Sequence, residues 1–184
     1  MDHNAIKVDI TQTILKSVSY VTLALWLGGL IAIGAIVAPI AFHLFRTDPL
    51  FHGQTDLQNN LAATIIGGSF RTFNRLCEVC GVLLTACIVC MTITGSSAGI
   101  QKKIGWGTSV VCTALLISAV CLDFVVFPAM DAAKAAANIP KFDQLHVLYV
   151  NLSNVQVFGL LVVAIALAAL SSMSRSEAPL SRPD

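Results

Sequence analysis

Long runs of apolar residues, separated by shorter polar segments, dominate the pattern of the chain. Four such runs occur, and each is longer than the roughly 20 residues that an α-helix needs to cross a bilayer. We place the spans at about residues 17–45, 72–96, 104–130 and 142–173. The pattern predicts an all-α fold, an integral membrane four-helix bundle, formed by a single transmembrane domain of residues 17–174.

The segments outside the spans are polar and, with one exception, short. A polar N-terminal segment covers residues 1–16, and residues 175–184 have the composition of a disordered tail. An Ala-rich linker is predicted at residues 131–140. The longest connection, residues 46–70, is too polar to cross the membrane. We expect a short interfacial helix there, between helices 1 and 2, at residues 56–66.

Composition agrees with a membrane protein. Of 184 residues, 56% are hydrophobic and 11% are charged, and the mean hydropathy is +0.80. Soluble domains carry about 25% charged residues. The net charge of +1 provides no basic field for nucleic acid. We therefore expect a lipid bilayer as the environment and no nucleic-acid partner. Other membrane proteins or a second copy of the chain are the protein partners that we consider.

The first apolar run is far longer than the roughly 7–15 residues of a signal-peptide core, so we expect it to remain as an anchor.

The distribution of basic residues predicts the orientation. The side with the two termini has six Lys and Arg residues, against five on the other side, which favours cytoplasmic termini by the positive-inside rule. The six are Lys7, Lys16, Lys102, Lys103, Arg175 and Arg182; the five are Arg46, Arg71, Arg75, Lys134 and Lys141.

Charged side chains occur inside the second and third spans at similar depths. Arg71, Arg75 and Glu78 are spaced i, i+4 and i+7, which places them on one stripe of a helix. Glu78 and Asp123 lie about six and seven residues from the same side of the bundle. An intramembrane carboxylate costs about 2.5–3.5 kcal/mol at mid-depth and usually marks a functional site. The predicted polar pocket comprises Arg71, Asn74, Arg75, Glu78, Asp123, Asn151 and Asn154. The alternative is a structural cluster whose members satisfy one another.

Two histidines and a methionine lie on the same side as the predicted pocket. His43 and His146 have the imidazole nitrogens that bind haem iron or copper, and Met130 is a soft additional ligand. Haem or copper is thus the cofactor class that these residues suggest. The alternative is a pair of interfacial histidines hydrogen-bonded to loops.

The cysteine spacing has a simpler explanation than a metal site. Cys77-x-x-Cys80 and Cys87-x-x-Cys90 have the spacing of a zinc ribbon. On one continuous helix, however, Cys77 and Cys90 are about 20 Å apart, so the four thiols cannot bind one metal ion. Cys77, Cys80 and Cys87 share a face, which leaves a two-thiolate Cu(I) site as an alternative to helix packing.

Short sequence matches relate the first half of the chain to the second. Val37-Ala38-Pro39 near the end of the first span corresponds to Val126-Phe127-Pro128 in the third. Phe73-Asn74-Arg75-Leu76 in the second corresponds to Phe142-Asp143-Gln144-Leu145 in the fourth. A parallel repeat of two helix pairs would produce this pattern, as would coincidence.

The chain also resembles a known family. Its motifs are Trp26-x-Gly28-Gly29, Ala38-Pro39, Phe73-Asn74-Arg75-Leu76, Pro128-x-Met130 and Phe142-x-x-Leu145-His146. They resemble the uncharacterised four-span family that includes transmembrane protein 205 of animals and bacterial relatives. That family is distantly similar to copper-resistance protein D and to four-helix proteins of haem synthesis. The resemblance implies a four-helix bundle and makes metal or haem handling a hypothesis to test, but it assigns no site. We expect the protein in a bacterial inner membrane.

These observations lead to three functional hypotheses. The first is a membrane protein whose one-sided pocket binds a copper-type ion or haem. The alternative is a non-catalytic scaffold or accessory subunit of a larger membrane complex. The third is a membrane enzyme acting on a lipid-soluble substrate. The sequence contains no nucleophile–base constellation, P-loop or dinucleotide fingerprint, so we favour a protein that is not an enzyme.

Overall fold

A computed structural model describes residues 3–47, 55–95 and 99–176, which are helical almost throughout and contain no strand. The all-α four-helix bundle is therefore confirmed. Two segments with π-helical hydrogen bonding interrupt the α-helices, and we call them π1 and π2. In chain order the elements are α1 (His3–Ile31), π1 (Ala32–Val37), α2 (Ala38–Thr47), α3 (Thr55–Thr94), α4 (Ile100–Cys121), π2 (Leu122–Val126), α5 (Phe127–Ala135) and α6 (Ile139–Ser176).

Four of the helical segments are long and apolar enough to cross a membrane. Span 1 lies within α1, π1 and α2 at Ile10–Thr47, and span 2 is Thr64–Thr94 of α3. Span 3 is Ile100–Ala135, which comprises α4, π2 and α5, and span 4 is Ile139–Met173 of α6. Many of the large apolar side chains on these helices are exposed at the surface of the chain, where a bilayer would contact them.

The predicted interfacial helix is not a separate element. Residues 56–66 form the first turns of α3, which continues without interruption through Gly67 and Gly68. Each glycine costs a helix only about 1 kcal/mol relative to alanine, and this stretch has no proline to break the hydrogen bonding. The expected break was therefore wrong, and the second span begins as part of a 40-residue helix.

The other polar segments are also more helical than expected. The N-terminal segment is part of α1 from His3 onward. The predicted linker contracts to residues 136–138, because its alanines, which have the highest helix propensity, extend α5 to Ala135. The Asn138 side chain then caps α6 by accepting a hydrogen bond from the Lys141 backbone N–H at 3.1 Å. The predicted tail beyond Ser176 lies outside the described residues.

α3, the helix with the most residues of the predicted pocket, is central to the packing of the bundle. It packs against α1 and α4, and α6 contacts α4, α5 and α1 to complete the bundle. Trp26 is completely buried in the main core, with Leu84, Ile88 and Leu160. Small residues allow the close contacts: a Cβ atom on Gly29 would overlap the Phe73 ring. Gly28 and Gly34 make no such contact, since a Cβ atom on either would meet nothing within 4 Å.

Candidate functional site

Two Arg–Asp ion pairs connect α3 to span 3. The Arg71 guanidinium donates a hydrogen bond to the Asp131 carboxylate, and Arg75 Nε lies 3.8 Å from Asp123 Oδ2. Together with nearby polar groups of α3 and α6 they form what we call the polar cluster. Its members are Arg71, Asn74, Arg75, Glu78, Asp123, Asp131 and Tyr149.

The outer pair, Arg71 and Asp131, lies close to the end of the bundle. Both side chains are about half exposed, and the Arg71 guanidinium also lies over the Phe127 ring, 5.6 Å from its centroid. An ion pair this exposed contributes at most about 1 kcal/mol. The pair therefore positions the helix ends more than it stabilises the fold.

The inner pair is asymmetric in its exposure. The Arg75 side chain is 74% exposed, whereas that of Asp123 is only 6% exposed. Asp123 lies in π2, and π-helical turns inside α-helices often occur at functional sites. A buried carboxylate here has its nearest cation on a side chain that reaches in from the surface.

Glu78 lies deeper in the bundle, and among the described residues it forms neither of the two ion pairs of the cluster. It is seven residues beyond Arg71 on α3, which corresponds to roughly 10 Å along the helix axis. Its Oε1 atom is buried and has no hydrogen-bond partner within the described chain. Asp123 and Arg75 are both close enough to interact with it electrostatically. The cluster therefore has three carboxylates and two guanidinium groups, and Arg75 interacts with both Asp123 and Glu78.

Asn74 and Tyr149 form the neutral part of the cluster. Asn74 is only 3% exposed, and its Oδ1 accepts a long hydrogen bond of 3.5 Å from the Tyr149 hydroxyl. Its Nδ2 is buried without a partner among the described residues. The Tyr149 ring packs edge-on against Phe70 and Phe127, at centroid distances of 5.6 and 5.0 Å. An aromatic layer thus separates Asn74 from the end of the bundle.

The structure brings together five of the seven residues predicted to form the pocket. Arg71, Asn74, Arg75, Glu78 and Asp123 belong to the polar cluster. Asn151 and Asn154 have exposed side chains and are not brought into it.

The three predicted metal or haem ligands occupy different environments. His43 is exposed on α2, and His146 is exposed on α6, where its ring stacks on Phe142 at 6.1 Å. Met130 is buried in an apolar group with Phe127 and Tyr149. α2 packs mainly against α3, while α6 packs against α1, α4 and α5. Across the described residues, no group of three or more His, Cys, Asp or Glu side chains could hold a metal ion. Metal or haem ligation stays a prediction.

The cysteines lie where packing predicts them. All six are free, and Cys77, Cys80 and Cys112 belong to the main core. Cys87 is also buried, whereas Cys90 is exposed. Buried thiols behave as small apolar groups.

Two members of the polar cluster were not selected from the sequence. Asp131 falls in the predicted linker, eight residues after Asp123. Because α3 and span 3 run antiparallel, Arg71 lies opposite Asp131 just as Arg75 lies opposite Asp123. This antiparallel register is the feature of the sequence that could have identified Asp131. Tyr149 lies three residues beyond the predicted ligand His146 on α6, and it is buried whereas His146 is exposed.

Comparisons with known proteins add one match. A family model described as Domain of unknown function (DUF4149) matches residues 21–138. The match covers most of spans 1 to 3 and every member of the polar cluster except Tyr149. No curated protein matches the chain, and no solved structure matches it.

Proposed function

We propose that this chain, which belongs to the DUF4149 family of unknown function, binds a small ligand at its polar cluster. Its four long apolar helices make it a multi-pass integral membrane protein. The proposed site lies in one half of the bundle, between α3 and span 3, where charged residues enter the apolar interior.

Glu78 is the observation that carries this proposal. A cluster with a purely structural role should pair its buried charges, because an unpaired buried charge is expensive. Here each arginine forms an ion pair with an aspartate, and Glu78 interacts with Arg75 only at longer range. The Glu78 Oε1 atom is buried without a hydrogen-bond partner among the described residues. The Asn74 Nδ2 atom, one helical turn away, is also buried without a hydrogen-bond partner among the described residues. A ligand that binds this carboxylate would compensate both the charge and the missing hydrogen bond.

We also propose that the ligand is copper or haem. The chemistry of His43, His146 and Met130 supports this ligand, as does the resemblance to the transmembrane protein 205-like family and to copper-resistance protein D. Both histidines are exposed at the surface of the chain. A bacterial inner membrane and cytoplasmic termini are proposed on the same resemblance and on the Lys and Arg distribution. The proposed protein partners, other membrane proteins or a second copy, rest on the bundle architecture alone.

The test measures what the purified protein retains. Protein extracted in mild detergent is analysed by native mass spectrometry, absorption spectroscopy and metal analysis. We expect a bound small molecule in the wild type that Glu78→Gln loses, because the variant keeps the side-chain shape and removes the charge. Cys90→Ala, a change at an exposed position on the same helix, is the matched control and should retain the ligand.

The outcomes separate the candidate functions. A Soret band or stoichiometric copper that is lost in a His43→Ala/His146→Ala double variant would assign the ligand to the histidines. A folded wild type without any retained molecule, colour or metal would contradict the proposal and favour the scaffold.

A further inference from the structure

The Glu78 side chain also lies at the edge of a groove between α3 and α4. The groove has a volume of about 460 Å³, which is within the usual range for small-molecule sites. Five of its lining residues are apolar, and Glu78 is the only polar one. We call it the Glu78 groove; its lining residues are Glu78, Val79, Val82, Leu83, Leu116 and Val120.

The groove opens toward the bilayer. Val79, Val82 and Leu83 on α3 are largely exposed at the surface of the chain, as is Val120 on α4. In a membrane-spanning region this surface contacts lipid rather than water. A molecule that enters the groove laterally must therefore dissolve in the membrane, and its body must be apolar to match the walls.

Charge determines the other end of that molecule. The polar cluster contains three carboxylates, on Glu78, Asp123 and Asp131, and two guanidinium groups, which leaves one excess negative charge. Glu78 is the carboxylate of the cluster that lines the groove. Asp123 adds to the negative field at the same point. An anionic head group would be repelled. A cation with N–H donors would balance the negative charge and would also donate a hydrogen bond to the Glu78 carboxylate.

We infer that the Glu78 groove binds a lipophilic amine. Its protonated nitrogen donates a hydrogen bond to the Glu78 carboxylate, and its apolar body lies along the valine and leucine side chains of α3 and α4. The inference rests on the proposed function, because both assign ligand binding to Glu78. It adds the chemical class of the ligand and its route of entry.

The experiment compares three probes with one alkyl chain: dodecylamine, dodecanol and dodecanoic acid. Binding to the full chain in phosphatidylcholine nanodiscs is titrated by native mass spectrometry. We expect the amine to bind at least about tenfold more tightly than the alcohol, because only the amine forms a charged pair with the carboxylate. The acid should bind more weakly than both.

Variants assign the preference to the groove. Glu78→Gln should reduce amine affinity to about that of the alcohol and leave alcohol binding unchanged, since the apolar walls remain. Val82→Phe should fill the groove and weaken both probes. Val110→Phe, at an exposed position of α4 outside the groove, should alter neither.

The two proposals fail in different ways. Equal binding of amine and alcohol, or an amine affinity that Glu78→Gln leaves unchanged, would overturn the amine inference. If the wild type still retains a native ligand that Glu78→Gln loses, the proposed function stands without it. If no molecule of any kind is retained, the proposed function itself is contradicted.

Discussion

At the residue scale, burial separates the members of the polar cluster by role. Asn74, Asp123 and Tyr149 are enclosed, while the two arginines reach in from exposed positions. Long basic side chains can keep their charged ends at an interface while their stems cross apolar surface. The stripe of Arg71, Arg75 and Glu78 read from the sequence is present, yet the residue beside it, Asn74, is the one held in the interior.

Tyr149 provides a residue-scale prediction about stability. Tyr149→Ala removes a buried ring that packs on Phe70 and Phe127, which we expect to cost about 3–5 kcal/mol of unfolding free energy. Tyr149→Phe keeps the ring and loses only a hydrogen bond of 3.5 Å, so its cost should be below about 1 kcal/mol. Melting temperatures of the two purified variants in the same detergent measure the difference. Equal melting temperatures would show that the ring does not stabilise the bundle.

At the element scale, proline and glycine determine the shapes of the spans. Each π segment ends two residues before a proline, Pro39 in span 1 and Pro128 in span 3. Proline has no N–H and its ring opposes the carbonyl four residues earlier. The N–H of the preceding residue bonds five residues back in both cases, from Ala38 to Ile33 and from Phe127 to Leu122. The two spans therefore share one local distortion that the prolines explain, and the repeat of two helix pairs stays a prediction.

Gly29 provides the prediction at the element scale. Gly29→Ala places a methyl group into the buried Phe73 ring, where α1 and α3 are in contact. We expect a loss of about 1–3 kcal/mol from overpacking. Gly28→Ala is the matched control, because its methyl group would meet open space and alanine favours the helix. Thermal unfolding in detergent should rank Gly29→Ala below wild type and Gly28→Ala at or above it; the reverse order would refute this account of the helix contact.

At the scale of the whole molecule, the bundle has two unlike ends. The charged residues of the cluster gather at one end, where α3 begins and span 3 finishes. At the other end the helices are joined by neutral contacts, such as the Gln12 amide donating to the Thr94 hydroxyl at 2.7 Å. Tyr20 and Ser171 hydrogen-bond there as well, at 3.0 Å. The polar cluster therefore lies on one side of the membrane.

The orientation of that side can be measured directly. With both termini in the cytoplasm, Lys134→Cys should react with a membrane-impermeant maleimide in intact cells, because it is exposed on the outer side. Lys103→Cys, exposed at the start of α4, should react only after permeabilisation. The wild type, whose cysteines all lie in the spans, is the control for background labelling. Labelling with the opposite preference would invert the proposed topology.

The sequence alone determined the class of the molecule. Uncharged runs longer than a bilayer is thick have one stable form, because every backbone group must be hydrogen-bonded within the membrane. It also indicated that Glu78 on α3 and Asp123 on span 3 lie at similar depths, which brings charges of the two helices together without specifying their partners. The helix boundaries could not be read in the same way. Glycine pairs and alanine-rich stretches do not show whether a helix continues through them, as α3 and α5 do.

Only the tertiary structure decided which polar groups have partners. The rotation of α6, which contacts α4 closely at Gly159 and Leu115, left Asn151 and Asn154 exposed and buried Tyr149 beside Asn74. The pairing of both arginines with aspartates likewise depends on side chains more than forty residues apart in the chain. A spacing pattern within one helix contains no information about it, since the deciding neighbours belong to other helices.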